Sequence, residues 1–573
     1  MRTLDSMKKS YDFGLSDRPL LGETIGEAFD RTIRSHPDCE ALICRHQDIR
    51  FTYSELGRIV DRAAKAFVRI GIERGDRVAI WSTNNYEWVV TQYATAKIGA
   101  VLVTINPAYR LHEFEYILRN SQAKAIVLLE SFKSSNYLEM FYQAVPEAME
   151  CEPGHLDSWR YPELRDVIFI GEAEPPGMFT ERSFVHLSDD ISDEVLIERF
   201  CELDIDDPIN IQYTSGTTGF PKGVVLTHNN ILNNAFFIGE YMQFTERDRL
   251  CVPVPFFHCF GMVVGNLAAM THGAAVIVPA EVFDPESTLR AVQEEQCTAL
   301  HAVPMMFISM LKHPEFESFD LSTLRTGITG AAPCPIEVMK KVVTSMHMRQ
   351  VVTAYGQTEA SPITTMTSPD APIERRVDSV GKVVPHQEIK IVDPTSNRIV
   401  ARNERGEICF RGYNVMAGYD GDITATAQAI DHHGWLHSGD LGTMDDEGYV
   451  RITGRIKEMV IRGGENIYPR EIEEFLHTLP IVRDVAVIGV PDDKFGEELV
   501  GCVILNESER VPNEEELRQM CNGAIAHFKV PKYWLVLKEF PVTASGKVRK
   551  FKLREIAIRR LGLRDATAER ESN

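Results

Sequence analysis

Between about residue 77 and residue 355 the sequence alternates short apolar, β-rich runs with helical patterns, and no other feature limits the fold as much. The predicted strands are Val78–Trp81, Val101–Ile105, Ala125–Leu129, Val167–Ile170, Ile209–Tyr213, Leu250–Val254, Ala275–Val278, Ala299–Val303 and Val351–Ala354. Helical patterns lie between many of them, for example Asn85–Ile98 and Glu286–Glu295. Strands that are apolar on both faces must be covered on both faces. Alternation with helices supplies the cover, so the reading is α/β with parallel sheets.

The character changes near residue 385. Glu388–Val392, Glu407–Arg411 and Tyr449–Thr453 are short strands among Gly and Asp turns, which implies a small β subdomain. After Gly454 comes an α+β tail: a helix near Arg470–Thr478, strands at Val485–Val490 and Val500–Leu505, a helix at Asn513–Ala526 and a strand at Trp534–Glu539. The expected domains are therefore 1–453, a junction at 454–458, and 459–573. A length of 573 residues allows this many units, at roughly 150 residues for a typical domain.

The charge-free stretch Val252–Ala280 has the length of a membrane span. Its contents argue against one. Pro253 and Pro255 open it, Gly261, Gly265 and Gly273 interrupt it, and His258, Asn266 and His272 are polar. No Lys/Arg cluster flanks it. The expectation is a buried strand, a turn, a helix at about 260–270 and a second strand. The first ten residues lack an apolar core typical of a secretory signal and make no convincing transit peptide.

The net charge, 61 − 83 = −22, disfavours nucleic-acid partners, which require Lys and Arg to displace counterions. The 11 dispersed cysteines form no C-x-x-C and read as reduced thiols.

Chemistry concentrates in a few segments. Tyr213-Thr-Ser-Gly-Thr-Thr-Gly-Phe-Pro-Lys-Gly223 follows a predicted strand. Its glycines let amide N–H groups turn inward, Thr214, Ser215, Thr217 and Thr218 add hydroxyls, and Lys222 adds a cation, which together make a phosphate cradle. Lys222 between Pro221 and Gly223 does not fit the Walker A order. Thr353-Ala-Tyr-Gly-Gln-Thr-Glu359 offers an aromatic face at Tyr355, a hydroxyl at Thr358 and a hard carboxylate at Glu359 suited to Mg²⁺. Trp435-Leu-His-Ser-Gly-Asp440 places an aspartate in the Gly/Asp-rich region, where it can accept ribose hydroxyls. His432, His433 and His437 invite a metal reading, but their spacing lacks a partner Cys or His set and favours a plain loop.

These segments, in this order, resemble the adenylate-forming superfamily of acyl-CoA synthetases, luciferase-like enzymes and peptide-synthetase adenylation domains, from about Thr24 to Leu561. The resemblance implies a large N-terminal domain with a small β-barrel subdomain, and a small mobile C-terminal domain. It implies ATP, Mg²⁺ and CoA as cofactor and co-substrates. It assigns the phosphate loop to Thr214, Ser215, Gly216, Thr217, Thr218, Gly219 and Lys222, and metal contact to Thr214 and Glu359. Tyr355 and Gly356 would meet the adenine side, Thr358 the α-phosphate, and Asp440 and Arg455 the ribose. Lys457 matches the hinge position, and Gly464, in the turn Ile461-Arg-Gly-Gly-Glu-Asn466, matches a loop lining the thiol channel. Lys547, in Pro541-Val-Thr-Ala-Ser-Gly-Lys547, matches the lysine that stabilises charge during adenylation, so Lys547, Glu359, Thr214 and Lys222 are the expected catalytic set.

Pro255-Phe-Phe-His-Cys-Phe-Gly261 and Gly327-Ile-Thr-Gly-Ala-Ala-Pro333 match walls of the acid pocket. Phe257, His258 and Gly330 would meet the acid, and Gly330, Ala331 and Ala332 also border the nucleotide. Phe256, Phe260, Met262 and Val263 are apolar candidates for the same lining or for plain core. No Asp or Glu occurs between Arg249 and Glu281, so nothing there would pair with a substrate ammonium, which argues for an uncharged acyl tail. Only 26 residues follow Lys547, so the expected thiol acceptor is a separate molecule, most simply CoA. Detail around 220–305 is most similar to the medium-chain fatty acyl-CoA ligase branch, of the acyl-CoA synthetase family member 2 type. The expected enzyme is an AMP-forming fatty acid–CoA ligase, monomeric or homodimeric, in the cytoplasm or the mitochondrial matrix. A ligase loading an aryl or fatty acid onto a carrier protein and a silent nucleotide-binding homologue are the alternatives.

Overall fold

The computed structural model describes residues 8–133, 135–214, 221–462, 465–492, 494–506, 512–521, 524–543 and 547–563. They divide into two compact units. One comprises Asp12–Ile389 and Phe410–Leu436; the other gathers Lys390–Cys409, the chain from His437 onward and the segment ending at Tyr11.

The first unit is built on two large sheets. In the eight-stranded sheet the order is Phe179–Thr180, Asp166–Ile170, Ala125–Leu129, Arg77–Trp81, Val101–Thr104, Pro208–Thr214, Lys222–Thr227 and Gly418–Tyr419. Pairing is parallel as far as Pro208–Thr214 and antiparallel over the last two steps. The nine-stranded sheet runs Lys382–Val383, Ile363–Met366, Gln350–Gly356, Thr326–Thr329, Ala299–Leu300, Arg249–Cys251, Ala275–Val278, Glu40–Cys44 and Ile49–Thr52. Its interior is parallel and its ends antiparallel.

All nine strands read from the apolar runs are present, seven of them with shifted ends. Two features lie beyond that reading. Glu40–Cys44 joins the second sheet beside Ala275–Val278, a pairing across more than two hundred residues of chain. Lys222–Thr227 is a strand, so the glycine-rich segment connects two antiparallel strands.

The helix Tyr86–Ile98 shows how local signals set boundaries. The Asn85 side chain accepts the Trp88 N–H at 2.8 Å, and Gly99 ends the helix at φ 72°. From Trp88 onward every residue of this helix is buried, so it carries no polar stripe. Tyr93 stacks on Phe29 of the helix Ile25–Ser35 at 4.4 Å.

The first strand, Arg249–Cys251, ends just before the charge-free stretch, which holds the expected helix, a π-type Phe260–Leu267 continuing into Ala268–Thr271, and then the expected strand Ala275–Val278. The polar residues of this stretch have specific partners. The Asn266 side chain donates to Gln92 Oε1 at 3.1 Å, His272 Nε2 lies 3.3 Å from Glu240, and the Phe260 N–H donates to His258 Nδ1 at 3.1 Å. No helix among the described residues is long and apolar enough to cross a membrane.

In the second unit, Leu436–Met444 pairs antiparallel with Val450–Arg455. Farther along, Val482–Asp492 pairs antiparallel with Gly496–Leu505, and Tyr533–Val536 adds in parallel to the latter. The helices Pro469–Leu476 and Lys550–Leu561 accompany this sheet, and each contributes residues to its own apolar cluster with it. The predicted helix Asn513–Ala526 is shorter, spanning Glu514–Cys521.

Between parallel strands of the second sheet, a Cβ on Gly327 would lie 1.9 Å from the Leu300 carbonyl oxygen and 2.4 Å from the Met348 Cε. Strand backbone cannot yield there without breaking pairing with Val351. Gly327→Ala is expected to cost at least about 1–3 kcal/mol, the usual cost of overpacking. Thermal unfolding is the check, and an unchanged midpoint would show that the sheet yields without strain.

Candidate active site

The site begins where the strand Pro208–Thr214 ends. Thr214 pairs across the hairpin with Lys222, and its hydroxyl donates to the Lys222 carbonyl at 3.4 Å. The hairpin base is braced by Tyr116, whose hydroxyl donates to the Pro221 carbonyl at 3.1 Å, and by Asn120, which donates to the Tyr213 hydroxyl at 3.0 Å. Ser215, Gly216, Thr217, Thr218 and Gly219 lie outside the described residues.

Lys222–Thr227 then pairs with the two-residue strand Gly418–Tyr419. That pairing sets the chemistry. The Lys222 ammonium stands over the Tyr419 ring, 4.8 Å from its centre, and the Tyr419 hydroxyl donates to Glu359 Oε1 at 2.9 Å. Cation, aromatic ring and carboxylate thus form one chain of contacts. Burial raises the Tyr419 phenol above its ordinary value, and the Glu359 charge and hydrogen bond raise it further. The phenol therefore remains a donor. Tyr419 is a residue the sequence reading did not single out. Its signal is slight, a tyrosine in the run Met416-Ala-Gly-Tyr-Asp420.

Glu359 lies in a short turn, Thr358–Ala360, directly after the strand Gln350–Gly356. The Met416 N–H donates to the Glu359 carbonyl at 3.0 Å. Gly356 is required by close approach: a Cβ there would lie 1.6 Å from the Pro362 carbonyl oxygen. Tyr355 is half-buried, its ring 6.0 Å from that of Phe410. Thr358 is buried and borders Cys259. Gln212, on the first strand, accepts both the Cys259 N–H and its thiol at 3.0 Å. Burial, reinforced by the Glu359 charge, holds the Cys259 thiol well above its usual range. Gln212 thus ties the Phe256–Gly261 turn to the strand that ends in Thr214, and sequence reasoning missed it.

That turn holds the acid-pocket candidates. Phe256 is fully buried against Trp88, with ring centres 5.5 Å apart, and Met262 and Val263 are buried in the same apolar core. These three are core residues. Phe257 and His258 are half-buried. Gly330 ends the strand Thr326–Thr329 as a buried residue, and a Cβ on it would be 3.0 Å from the Ala354 carbonyl oxygen. Ala331 adopts a left-handed backbone, φ 68°, and Ala331 and Ala332 are exposed.

The remaining predicted residues belong to the second unit. Asp440 is buried and cross-strand paired with Arg455, whose Nε is 2.7 Å from Asp440 Oδ1. Lys457 lies in the turn Ile456–Glu458. Lys547 is exposed; its N–H donates to Thr543 Oγ1 at 3.1 Å and its carbonyl accepts the Thr543 N–H at 2.7 Å. Gly464 lies outside the described residues. The expectation that His437 belongs to a plain loop is corrected: it stands in the strand Leu436–Met444, with Glu407 and Cys409 against its ring.

The AMP-binding enzyme model matches residues 29–420, and the AMP-binding enzyme C-terminal domain model matches 471–547. The chain belongs to the AMP-binding enzyme family. Within this family it is 49% identical to the putative acyl-CoA synthetase YngI of Bacillus subtilis (strain 168), over 95% of this chain and 99% of that protein. It is 42% identical to the mitochondrial medium-chain acyl-CoA ligase ACSF2 of Danio rerio, over 98% and 93%. ATP-bound MatB from Rhodopseudomonas palustris has a similar structure, with a TM-score of 0.79 and 28% identity over 93% of this chain and 99% of that one.

Tyr419→Phe keeps the ring under Lys222 and removes only the hydroxyl from Glu359. A hydrogen bond to a charged group is worth about 1.5–3 kcal/mol. The expected result is a lower unfolding midpoint and a rise of about tenfold or more in KM for MgATP. An unchanged KM would remove Tyr419 from the site.

Proposed function

We propose that this chain is an ATP-dependent fatty acid–CoA ligase, forming acyl-CoA, AMP and diphosphate through an acyl-adenylate, with medium-chain fatty acids as the acid. The observation that carries the proposal is the Lys222–Tyr419–Glu359 contact chain at the end of a matched phosphate-loop strand. It lies in a chain whose relatives, over nearly its whole length, are named acyl-CoA synthetases and medium-chain acyl-CoA ligases.

A carboxylate is a poor electrophile, and adenylation solves that problem. In the first step a carboxylate oxygen bonds to the α-phosphorus of ATP, and the bond to the bridging oxygen breaks with its electron pair leaving on diphosphate. In the second step the CoA sulfur, having lost its proton, bonds to the acyl carbon, and AMP departs with the electrons of the acyl–oxygen bond. Both steps move negative charge, so fixed cations and oriented donors favour them. Lys222, with the Ser215–Gly219 segment, is proposed to hold the phosphates, and Thr358 the α-phosphate. Asp440 and Arg455 are proposed to hold the ribose, Tyr355 and Gly356 to flank the adenine, and Lys547 to steady charge at the reacting phosphate. Glu359 and Thr214 are hard oxygen donors of the kind Mg²⁺ takes, and that ion would neutralise phosphate charge when bound.

Phe257, His258 and Gly330 are proposed to meet the acid. The absence of Asp and Glu between Arg249 and Glu281 supports an uncharged tail. The junction 454–458, with Lys457, is proposed as the hinge between the two half-reactions, and Gly464 as part of the thiol channel. A monomer or homodimer in the cytoplasm or mitochondrial matrix is compatible with this reading.

AMP formation from MgATP across acids from acetate through octanoate and palmitate to benzoate, with and without CoA, tests the proposal. CoA-dependent turnover peaking at mid-length fatty acids is expected. Pyrophosphate exchange without CoA turnover would move the acceptor to another thiol. Lys547→Ala is expected to abolish adenylation while sparing thioesterification of supplied acyl-adenylate; loss of both would overturn its role.

A further inference from the structure

Glu407 and Cys409 stand two residues apart on the strand Gly406–Gly412 and so share one face, while His437 stands on the neighbouring strand Leu436–Met444. One carboxylate oxygen, the sulfur and a ring nitrogen lie within 4.8 Å of one another. His437 Nδ1 is 2.8 Å from Glu407 Oε2 and 3.5 Å from Cys409 Sγ. Cys409 is fully buried, Glu407 is 8% exposed, and the His437 side chain retains 21% exposure.

A Cys–His–acid relay does not fit this geometry. Such a relay engages the sulfur and the carboxylate on opposite ring nitrogens. Here both face Nδ1. Three donors around one point are instead three corners of a tetrahedron. With zinc–ligand bonds of about 2.0–2.3 Å, the ligand atoms stand about 3.3–3.8 Å apart, so the 2.8 Å His437–Glu407 separation must widen on binding. We propose that Glu407, Cys409 and His437 form a zinc-binding site with its fourth position open to water through the exposed side of His437.

The donor set selects the ion. Sulfur with imidazole disfavours Mg²⁺ and Ca²⁺ and suits Zn²⁺. On binding, the Cys409 thiol proton leaves to solvent and the zinc–sulfur bond forms. Zinc takes a neutral ring through Nδ1, so the bound ring carries its proton on Nε2, and no electron is transferred. The surrounding bonds link the site to the part of the same strand that bears Asp440. Glu407 Oε1 accepts the Gly439 N–H at 3.1 Å, the Ser438 hydroxyl donates to the Ile408 carbonyl at 2.6 Å, and the Asp440 N–H donates to Ser438 Oγ at 3.0 Å. Bound zinc would fix that part of the strand.

The test is titration of the full, metal-stripped chain with Co²⁺, following the thiolate-to-cobalt charge-transfer absorption, then displacement by Zn²⁺. The same titration is run on Cys409→Ser and His437→Gln, with far-UV circular dichroism to verify folding. One cobalt per chain with a charge-transfer band is expected, the band lost in Cys409→Ser and the affinity reduced about tenfold or more in His437→Gln. Absence of the band in the wild type, or an undiminished band in Cys409→Ser, would overturn the proposal. Should Cys409→Ser fail to fold, an undiminished affinity in His437→Gln overturns it equally.

Discussion

The candidate site depends on one reversal of direction. The eight-stranded sheet is parallel through Pro208–Thr214, and then the chain turns back on itself as Lys222–Thr227. A parallel sheet would have carried the next strand away through a crossover helix. The hairpin instead returns at once, so the two residues flanking the glycine-rich segment, Thr214 and Lys222, meet across the ladder. The next antiparallel step delivers Tyr419, and Tyr419 delivers the contact to Glu359. Ladder hydrogen bonds thus bring together a cation and a ring 197 positions apart (419 − 222), and a side-chain hydrogen bond adds the carboxylate.

Much of this was legible in the sequence, for physical reasons. Strands buried on both faces must be continuously apolar, so Ala125–Leu129 and Ala275–Val278 announce themselves with their ends correct. The helix start at Asn85 was visible because its cap is a side-chain property. The charge-free stretch was legible through its polar residues, each of which has a partner. Motif residues such as Glu359 and Lys222 stood out because their chemistry is local. What stayed hidden was long-range. Nothing near Glu40 says that it pairs beside Ala275. Tyr419 carries no special neighbour in sequence, and its role exists only once a third strand brings it to Lys222. His437 likewise looked isolated because Glu407 and Cys409 lie 30 and 28 positions upstream, on another strand.

The second unit shows a different balance. Asp440 is buried with its carboxylate against the half-exposed Arg455 guanidinium. A buried carboxylate needs such a partner, since the cost of leaving it alone is severe. The pair therefore has a structural duty besides any role toward a ribose. The strand Leu436–Met444 also holds His437 against Glu407 and Cys409, and Ser438 and Gly439 separate these two polar groups.

The two-residue strand Gly418–Tyr419 has a consequence beyond chemistry. It is the last strand of its sheet, and a sheet edge with unpaired backbone groups recruits strands from other molecules. Gly418 and Tyr419 cover part of Lys222–Thr227 and leave only a minimal ladder of their own. The segment that aims a phenol at Glu359 therefore also shields the protein from edge-to-edge association. A substitution at either residue therefore touches both the phenol contact to Glu359 and the cover of the sheet edge.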